Sequence, residues 1–177
     1  MINQELDVVG QDVISLQDVA AHVNNVNFDE EVVVFDSFTE INRPKELPFQ
    51  VDALIIVLCT RGGGRIGIDL REYDIKENSL IVIEPQNYIF LVDLNPDFTA
   101  SVVACSRRVV EEVLPKLTDM LPLIMQNRAE PVSNLSPDEA DSLACFYSLI
   151  KNKLSQPSSL FLKNMVKVFL KTMIYLK

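Results

Sequence analysis

From residue 28 to about residue 106 the chain repeats one pattern. A short run of Val, Ile, Leu or Phe gives way to a cluster of turn residues, roughly every 8–12 positions. The turns come too often for helices, which need about 10–12 residues to bury a stripe. A chain of this kind folds as short strands joined by tight turns, an antiparallel sandwich or barrel.

The strands can be placed one by one. Glu31 to Phe38 reads as a strand, and Asn42 to Pro48 as a loop broken by its prolines. Val51 to Thr60 is continuously apolar, so both of its faces are expected to be covered. Arg61-Gly62-Gly63-Gly64 reads as a hairpin turn that uses glycine at positive φ. Arg65 to Leu70 then alternates with period two, which points Ile66, Ile68 and Leu70 inward. Tyr73-Asp74-Ile75 pairs back. Leu80 to Glu84 is a strand ending at Pro85-Gln86-Asn87, followed by strands at Tyr88 to Leu94 and Phe98 to Ser106.

After residue 106 the period changes to that of helices. Arg107 to Leu114 forms a short helix stopped by Pro115, and a loop containing Pro122 and Pro131 follows. Ser136-Pro137-Asp138-Glu139 combines an N-cap, proline at the first helical position and a capping box. Ala140, Leu143, Ala144, Tyr147, Leu149, Ile150 and Leu154 recur behind it at helical spacing. Gln156-Pro157-Ser158-Ser159 breaks this helix and starts another. The second helix carries Phe161, Leu162, Met165, Val166, Phe169, Leu170, Met173 and Ile174, with Lys163, Lys167 and Lys171 on the other face. Its pattern still runs at Tyr175-Leu176-Lys177 with no stop signal, which predicts a longer natural chain. The expected class is α+β, with a barrel over residues 1–110 and a helical segment with an antiparallel helix pair over 111–177.

Searching this sequence for chemistry yields mostly exclusions. The single histidine, His22, stands alone before the first expected strand, with no partner motif for a triad or a metal site. The three cysteines are far apart, so they read as small core residues; Cys105, near Arg107 and Arg108, has the one basic neighbourhood a reactive thiol needs. The glycine run lacks the Lys-Ser/Thr of a phosphate loop. A net charge of −9 with only short basic pairs argues against a nucleic-acid surface on these 177 residues. The acidic, polar start is no signal peptide and no apolar run would span a bilayer, so the expected location is cytoplasmic.

What remains is a pocket. Glu84 and Asp93 lie within or at the ends of apolar strands. Solvent-facing positions account for them, or they are polar groups at a barrel mouth that recognise a ligand. Tyr88 and Phe90 share a face with Val92 and Leu94, either as core packing or as aromatic walls of a small-molecule site. With Ile66 and Ile68 these residues form the candidate ligand set: Tyr88, Phe90, Glu84, Ile66 and Ile68. No catalytic residue, metal ligand or cofactor is expected.

The order of elements carries a resemblance. Val51 to Gly64 is an apolar strand ending in a glycine turn, Arg65 to Ile75 a hairpin, and Lys76 to Asn87 a polar turn, a strand and a proline. This arrangement, followed by helices at Ser136–Leu154 and Ser158–Lys177, resembles the N-terminal cupin-like domain of AraC-type transcription regulators. The resemblance implies a jelly-roll-like effector barrel, a small-molecule effector, and a homodimer paired through helices. Phe161, Leu162, Met165, Phe169 and Met173 are the expected dimer face. DNA binding would belong to a helix-turn-helix domain that this sequence does not contain. Two alternatives stand beside it: a barrel that only scaffolds dimerisation, and a metal-free cupin enzyme. Metal-dependent cupins fit poorly, because no histidine occurs between residues 23 and 177.

Overall fold

The computed structural model describes residues 13–23, 25–28, 31–36, 48–113, 117–155, 164, 167, 168 and 170–172. Along the chain run β1 (Val13–Ile14), α1 (Leu16–His22), β2 (Asn25–Phe28), β3 (Val32–Asp36), β4 (Phe49–Val51) and β5 (Ala53–Arg61). Next come β6 (Gly63–Ile68), β7 (Arg71–Lys76), β8 (Ser79–Ile83), β9 (Tyr88–Leu94) and β10 (Thr99–Ser106). The helical part comprises α2 (Arg107–Val113), α3 (Leu117–Ala129) and α4 (Pro137–Leu154), with β11 (Val132–Asn134) between the last two.

The strands form two sheets. The first has the order β1-β4-β9-β6-β7, the second β11-β8-β5-β10-β3-β2. All ladders are antiparallel except the short β1–β4 pair. Consecutive strands often lie in different sheets, the jelly-roll-like arrangement expected of a cupin.

The alternation of β5 explains the layering. Every side chain from Ala53 to Cys59 is buried. Ala53, Ile55, Val57 and Cys59 point between the sheets, while Leu54, Ile56 and Leu58 join a second cluster on the opposite face. The inner cluster also takes Val33, Phe35, Ile81, Ile83, Val102 and Ala104 from the same sheet, and Phe49, Ile66, Ile68, Ile75 and Ile89 from its partner. The outer cluster buries Val109 and Val113 of α2, Leu143, Tyr147 and Ile150 of α4, and Leu170. At about 1.5–3 kcal/mol for each fully buried large aliphatic side chain, both faces of this sheet contribute to stability. The helical segment therefore shares its core with the barrel rather than owning one.

α4 begins where the sequence predicts. The Ser136 hydroxyl accepts from the Glu139 N–H, and the Glu139 carboxylate accepts from the Ser136 N–H at 2.8 Å. A bond from the Ser136 hydroxyl to the Glu139 carboxylate at 2.7 Å, then that from the Ser136 N–H, holds the Glu139 carboxyl below the ordinary glutamate range. The second expected helix is helical at residues 164, 167, 168 and 170–172.

Other elements differ from expectation. The glycine run is no hairpin: β5 and β6 belong to different sheets, and Gly62, at φ +74°, is where the chain crosses between them. A Cβ on Gly62 would stand 2.9 Å from the Phe98 backbone, so close approach as well as φ requires glycine there. Leu70 lies in a fully exposed turn after β6 rather than facing inward. The expected loop around Pro122 is instead the helix α3, with Pro122 inside it. Its apolar Leu121 and Met125 stand at exposed positions and Pro122 lies between them, so hydrophobic spacing did not mark a helix here. β1, α1 and β2 precede the first expected strand, and β11 occupies part of the expected loop. All four are short, below the length at which periodicity is readable.

Candidate ligand-binding site

The space between the sheets is the one place where the fold converges side chains from both layers. Ile66 and Ile68 point into it as expected, beside Ile89, Phe35 and Val57. Leu16, Val19 and Val23 enter from α1, whose neighbours β1 and β2 are edge strands of opposite sheets. α1 thus spans the open side of the sandwich. Its own N-terminus is closed by a capping box between Ser15 and Asp18. Among the described residues, the buried polar groups are the side chains of Ser79 and Asn127 and the Ser133 hydroxyl, and none belongs to this inner cluster. The interior is apolar.

Tyr88 and Phe90 are not in it. On β9 the residue between them, Ile89, is 2% exposed and packs in the inner cluster, whereas Tyr88 is 46% exposed. Phe90 pairs with Gly67, and its ring covers the Gly67 Cα so closely that an added Cβ would overlap it. Gly67 stands between the inward Ile66 and Ile68, so Phe90 lies on the outer face of its sheet. A bulge explains why strict alternation misled. Arg65 pairs with Asp93 and Ile66 with Leu91, which leaves Val92 as an extra residue. Beyond it parity flips, and Leu94 packs against the inner cluster while Tyr88 and Phe90 face out. The Val92 side chain lies outside what is described.

Glu84 sits at the end of β8 and faces α3 rather than a mouth. Its carboxylate accepts from the Asn127 Nδ2 at 3.0 Å and lies 3.9 Å from Arg128. The same amide donates to the Val82 carbonyl at 3.1 Å, so one buried asparagine fastens α3 to β8. The Glu84 N–H in turn donates to the Asn87 side chain at 2.7 Å. Asp93, the other acidic strand residue, is exposed.

Polar contacts of a second kind tie the helices to β3. The Asp36 carboxylate accepts from the Tyr147 hydroxyl at 2.6 Å and from the Lys151 ammonium. Burial pushes the Asp36 carboxyl up, but the hydrogen bonds from Lys151 and Tyr147, with the Lys151 charge, outweigh it and hold it below the usual aspartate value. Burial, then the Asp36 hydrogen bond and charge, push the Tyr147 hydroxyl up. At the start of β3, Glu31 pairs with Arg108, which lies 3.8 Å from Glu112, and Glu112 pairs with Lys167.

The cysteines also divide differently from expectation. Cys59 and Cys105 are buried, and Cys145 is exposed on α4. Despite its basic neighbours in sequence, Cys105 is fully enclosed and burial raises its thiol to about 12, so it is no reactive thiolate. Among the described residues no group of three or more His, Cys, Asp or Glu could hold a metal ion, and no helix is long and apolar enough to cross a membrane. The side chain of His22 and the residues Phe161, Leu162, Met165, Phe169 and Met173 lie outside what is described.

No protein-family model and no curated protein matches the sequence. Solved structures do match. Apo ToxT K231A from Vibrio cholerae superposes with a TM-score of 0.50 at 12% identity, over 80% of this chain and 54% of ToxT. The AraC-like transcriptional activator CuxR gives 0.43 at 14% identity, over 82% of this chain and 49% of its own. Wild-type ToxT with an unsaturated fatty acid bound also gives 0.43, at 16% identity, over 80% and 51% of the two chains. This chain thus spans about half the length of these proteins. The two-sheet sandwich with helices against one face has the fold seen in ToxT, the cupin-like fold that the resemblance to AraC-type regulators predicts.

Proposed function

We propose that this chain is the ligand-sensing part of an AraC-type transcription regulator, with DNA binding carried by sequence outside these 177 residues. The observation that carries the reading is an apolar interior shared by both sheets, one of which backs directly onto the helices. The effector is a hydrophobic or mixed small molecule. A bare sugar would find no polar partner among the described interior side chains. Regulation requires the effector to bind two arrangements of the helices with different affinity. The second helix pairs two copies through Phe161, Leu162, Met165, Phe169 and Met173.

Two experiments test this. Thermal unfolding is followed with oleate as an apolar probe and glucose as a polar control. A bound probe at about 100 times its Kd raises stability by about 2.7 kcal/mol. Val57→Trp, which fills the interior, abolishes the effect if the probe sits between the sheets. Light scattering over a concentration series then reads pairing: a dimer that Met165→Glu with Phe169→Glu splits supports the helix face, and a monomer throughout removes it. A second reading has an observation of its own. The interior side chains are almost completely enclosed by one another, as in a scaffold that serves pairing alone. A dimer indifferent to every apolar probe favours that reading.

A further inference from the structure

β3 combines contact with both apolar clusters with polar ties to helices at each of its ends. Val33 and Phe35 face the interior, and Val32 and Val34 face the helices. At its leading end Glu31 pairs with Arg108 of α2, and the chain of charge continues through Glu112 to Lys167. At its trailing end Asp36 is held by Tyr147 and Lys151 of α4. One strand therefore touches the interior with two side chains and is fastened at its ends to α2 and α4, with Lys167 reached only through Glu112 of α2. The Glu31 carbonyl also accepts from the Ser106 N–H at 2.8 Å, which ties the same corner to the start of α2.

We propose that β3 is the transmission element of the sensor: a change of volume at Val33 and Phe35 shifts the strand, and the polar latches at Glu31 and Asp36 carry that shift to α4 and to the helix containing Lys167. The proposal rests on the sensing function above, but its mechanical part needs no effector. Coupling between two places is a free energy shared between them, and truncating a side chain reports it as binding does. The latches suit the task. They fix the relative position of strand and helices from the margin of the core, with Arg108 and Asp36 more than half exposed and Glu31 15% exposed, so the isosteric changes Glu31→Gln and Asp36→Asn weaken them at some cost in stability while leaving the apolar packing of the strand in place.

The test is hydrogen exchange followed by NMR in this chain. Phe35→Leu enlarges the interior beneath β3, and Ile89→Val does so beneath the other sheet. Exchange in α4 and at Lys167, Val168, Leu170 and Lys171 is compared with exchange in β6 and β7, which reports general loosening. The expected result is that Phe35→Leu speeds exchange in the helices about 5-fold or more beyond its effect on β6 and β7, while Ile89→Val does not. In a Glu31→Gln, Asp36→Asn background that excess disappears. An equal change in helices and sheet overturns the proposal, and so does an excess that survives loss of the latches, because direct packing would then carry the signal. Oleate added to the wild-type chain provides the separate arm. Failure to bind it weakens the sensing function with an apolar effector and leaves the coupling result standing. Binding without a change in helix exchange overturns the transmission role.

Discussion

Gly67 and Phe90 offer a direct check on which face of the first sheet is the outer one. The two residues pair across β6 and β9, and the Phe90 ring occupies the volume a Gly67 side chain would need. Gly67 is not at positive φ, so alanine suits its backbone and the obstacle is the ring alone. Gly67→Ala must displace the ring, at a cost of about 1–3 kcal/mol typical of overpacking. For a chain of this length each kcal/mol lowers Tm by about 2–4 °C. Phe90→Ala removes an exterior, half-buried ring and should cost well under the roughly 3–5 kcal/mol of a core phenylalanine. With the ring gone, Gly67→Ala should change sign and stabilise by about 0.4–1 kcal/mol, through the lower entropy of the unfolded chain. Urea titration of the wild type, both single variants and the double variant reads the cycle. If Phe90→Ala costs as much as a core truncation, or if Gly67→Ala is destabilising to the same extent in both backgrounds, the placement of Phe90 on the outer face is wrong.

Tyr147→Phe removes the hydroxyl that donates to the Asp36 carboxylate and should cost about 1.5–3 kcal/mol, read by urea titration at neutral pH. Because Asp36 titrates below its ordinary value in the folded chain, its contribution is present above the unfolded value near 3.8 and is lost as pH falls through the folded one. Asp36→Asn should therefore destabilise at neutral pH and bring the variant closer to the wild type in acid. Iodoacetamide at neutral pH should modify the folded chain at the exposed Cys145 and spare the enclosed Cys59 and Cys105, as peptide mass spectrometry would show; fast labelling of Cys105 would contradict its burial. Leu143→Ala, which opens a cavity where α4 meets the second sheet, should lose about 2–5 kcal/mol in the same titration.

How much of this was legible in the sequence depended on whether a segment had one buried face, two, or none. β5 is apolar throughout because both its faces are covered, and that reading needed no parity assignment. α4 was legible from its capping box and its stripe, although Leu149, counted in that stripe, is exposed because it falls off the buried face. α3 was not, since exposed Leu121 and Met125 and the internal Pro122 erase the pattern. At the candidate site, Ile66 and Ile68 were read as facing inward, and they do, because β6 alternates without interruption against β7 and the extra residue of the β9 ladder lies on β9. Tyr88 and Phe90 were assigned inward because period two was carried through β9, and one extra residue at position 92 reverses it. Phe35 and Val33 carried an available signal in Glu31 to Phe38, but a run apolar at successive positions does not say which face meets the interior. The latches at Asp36 and Glu31 join residues more than seventy positions apart, a relation no local pattern encodes.

The crossing of β5 out of its sheet at Gly62 governs the order in which the molecule can assemble. β5 does not pair with the strand that follows it. Its partners are β8 and β10, and Ala53 meets Ser106 only after some fifty intervening residues exist. β3 pairs early with β2 on one edge, but its other edge waits longer, since Val32 pairs with Cys105. During synthesis the Ala53–Arg61 strand is therefore present with both edges open until β8 has emerged and with one edge open until β10 has, and residues 53–59 are apolar on both faces throughout. Such a segment is the kind most given to pairing with other chains, and closure over so long a span is slow. Poor recovery on rapid overproduction, improved by slowing synthesis, would trace to those nine residues rather than to any weakness of the finished fold.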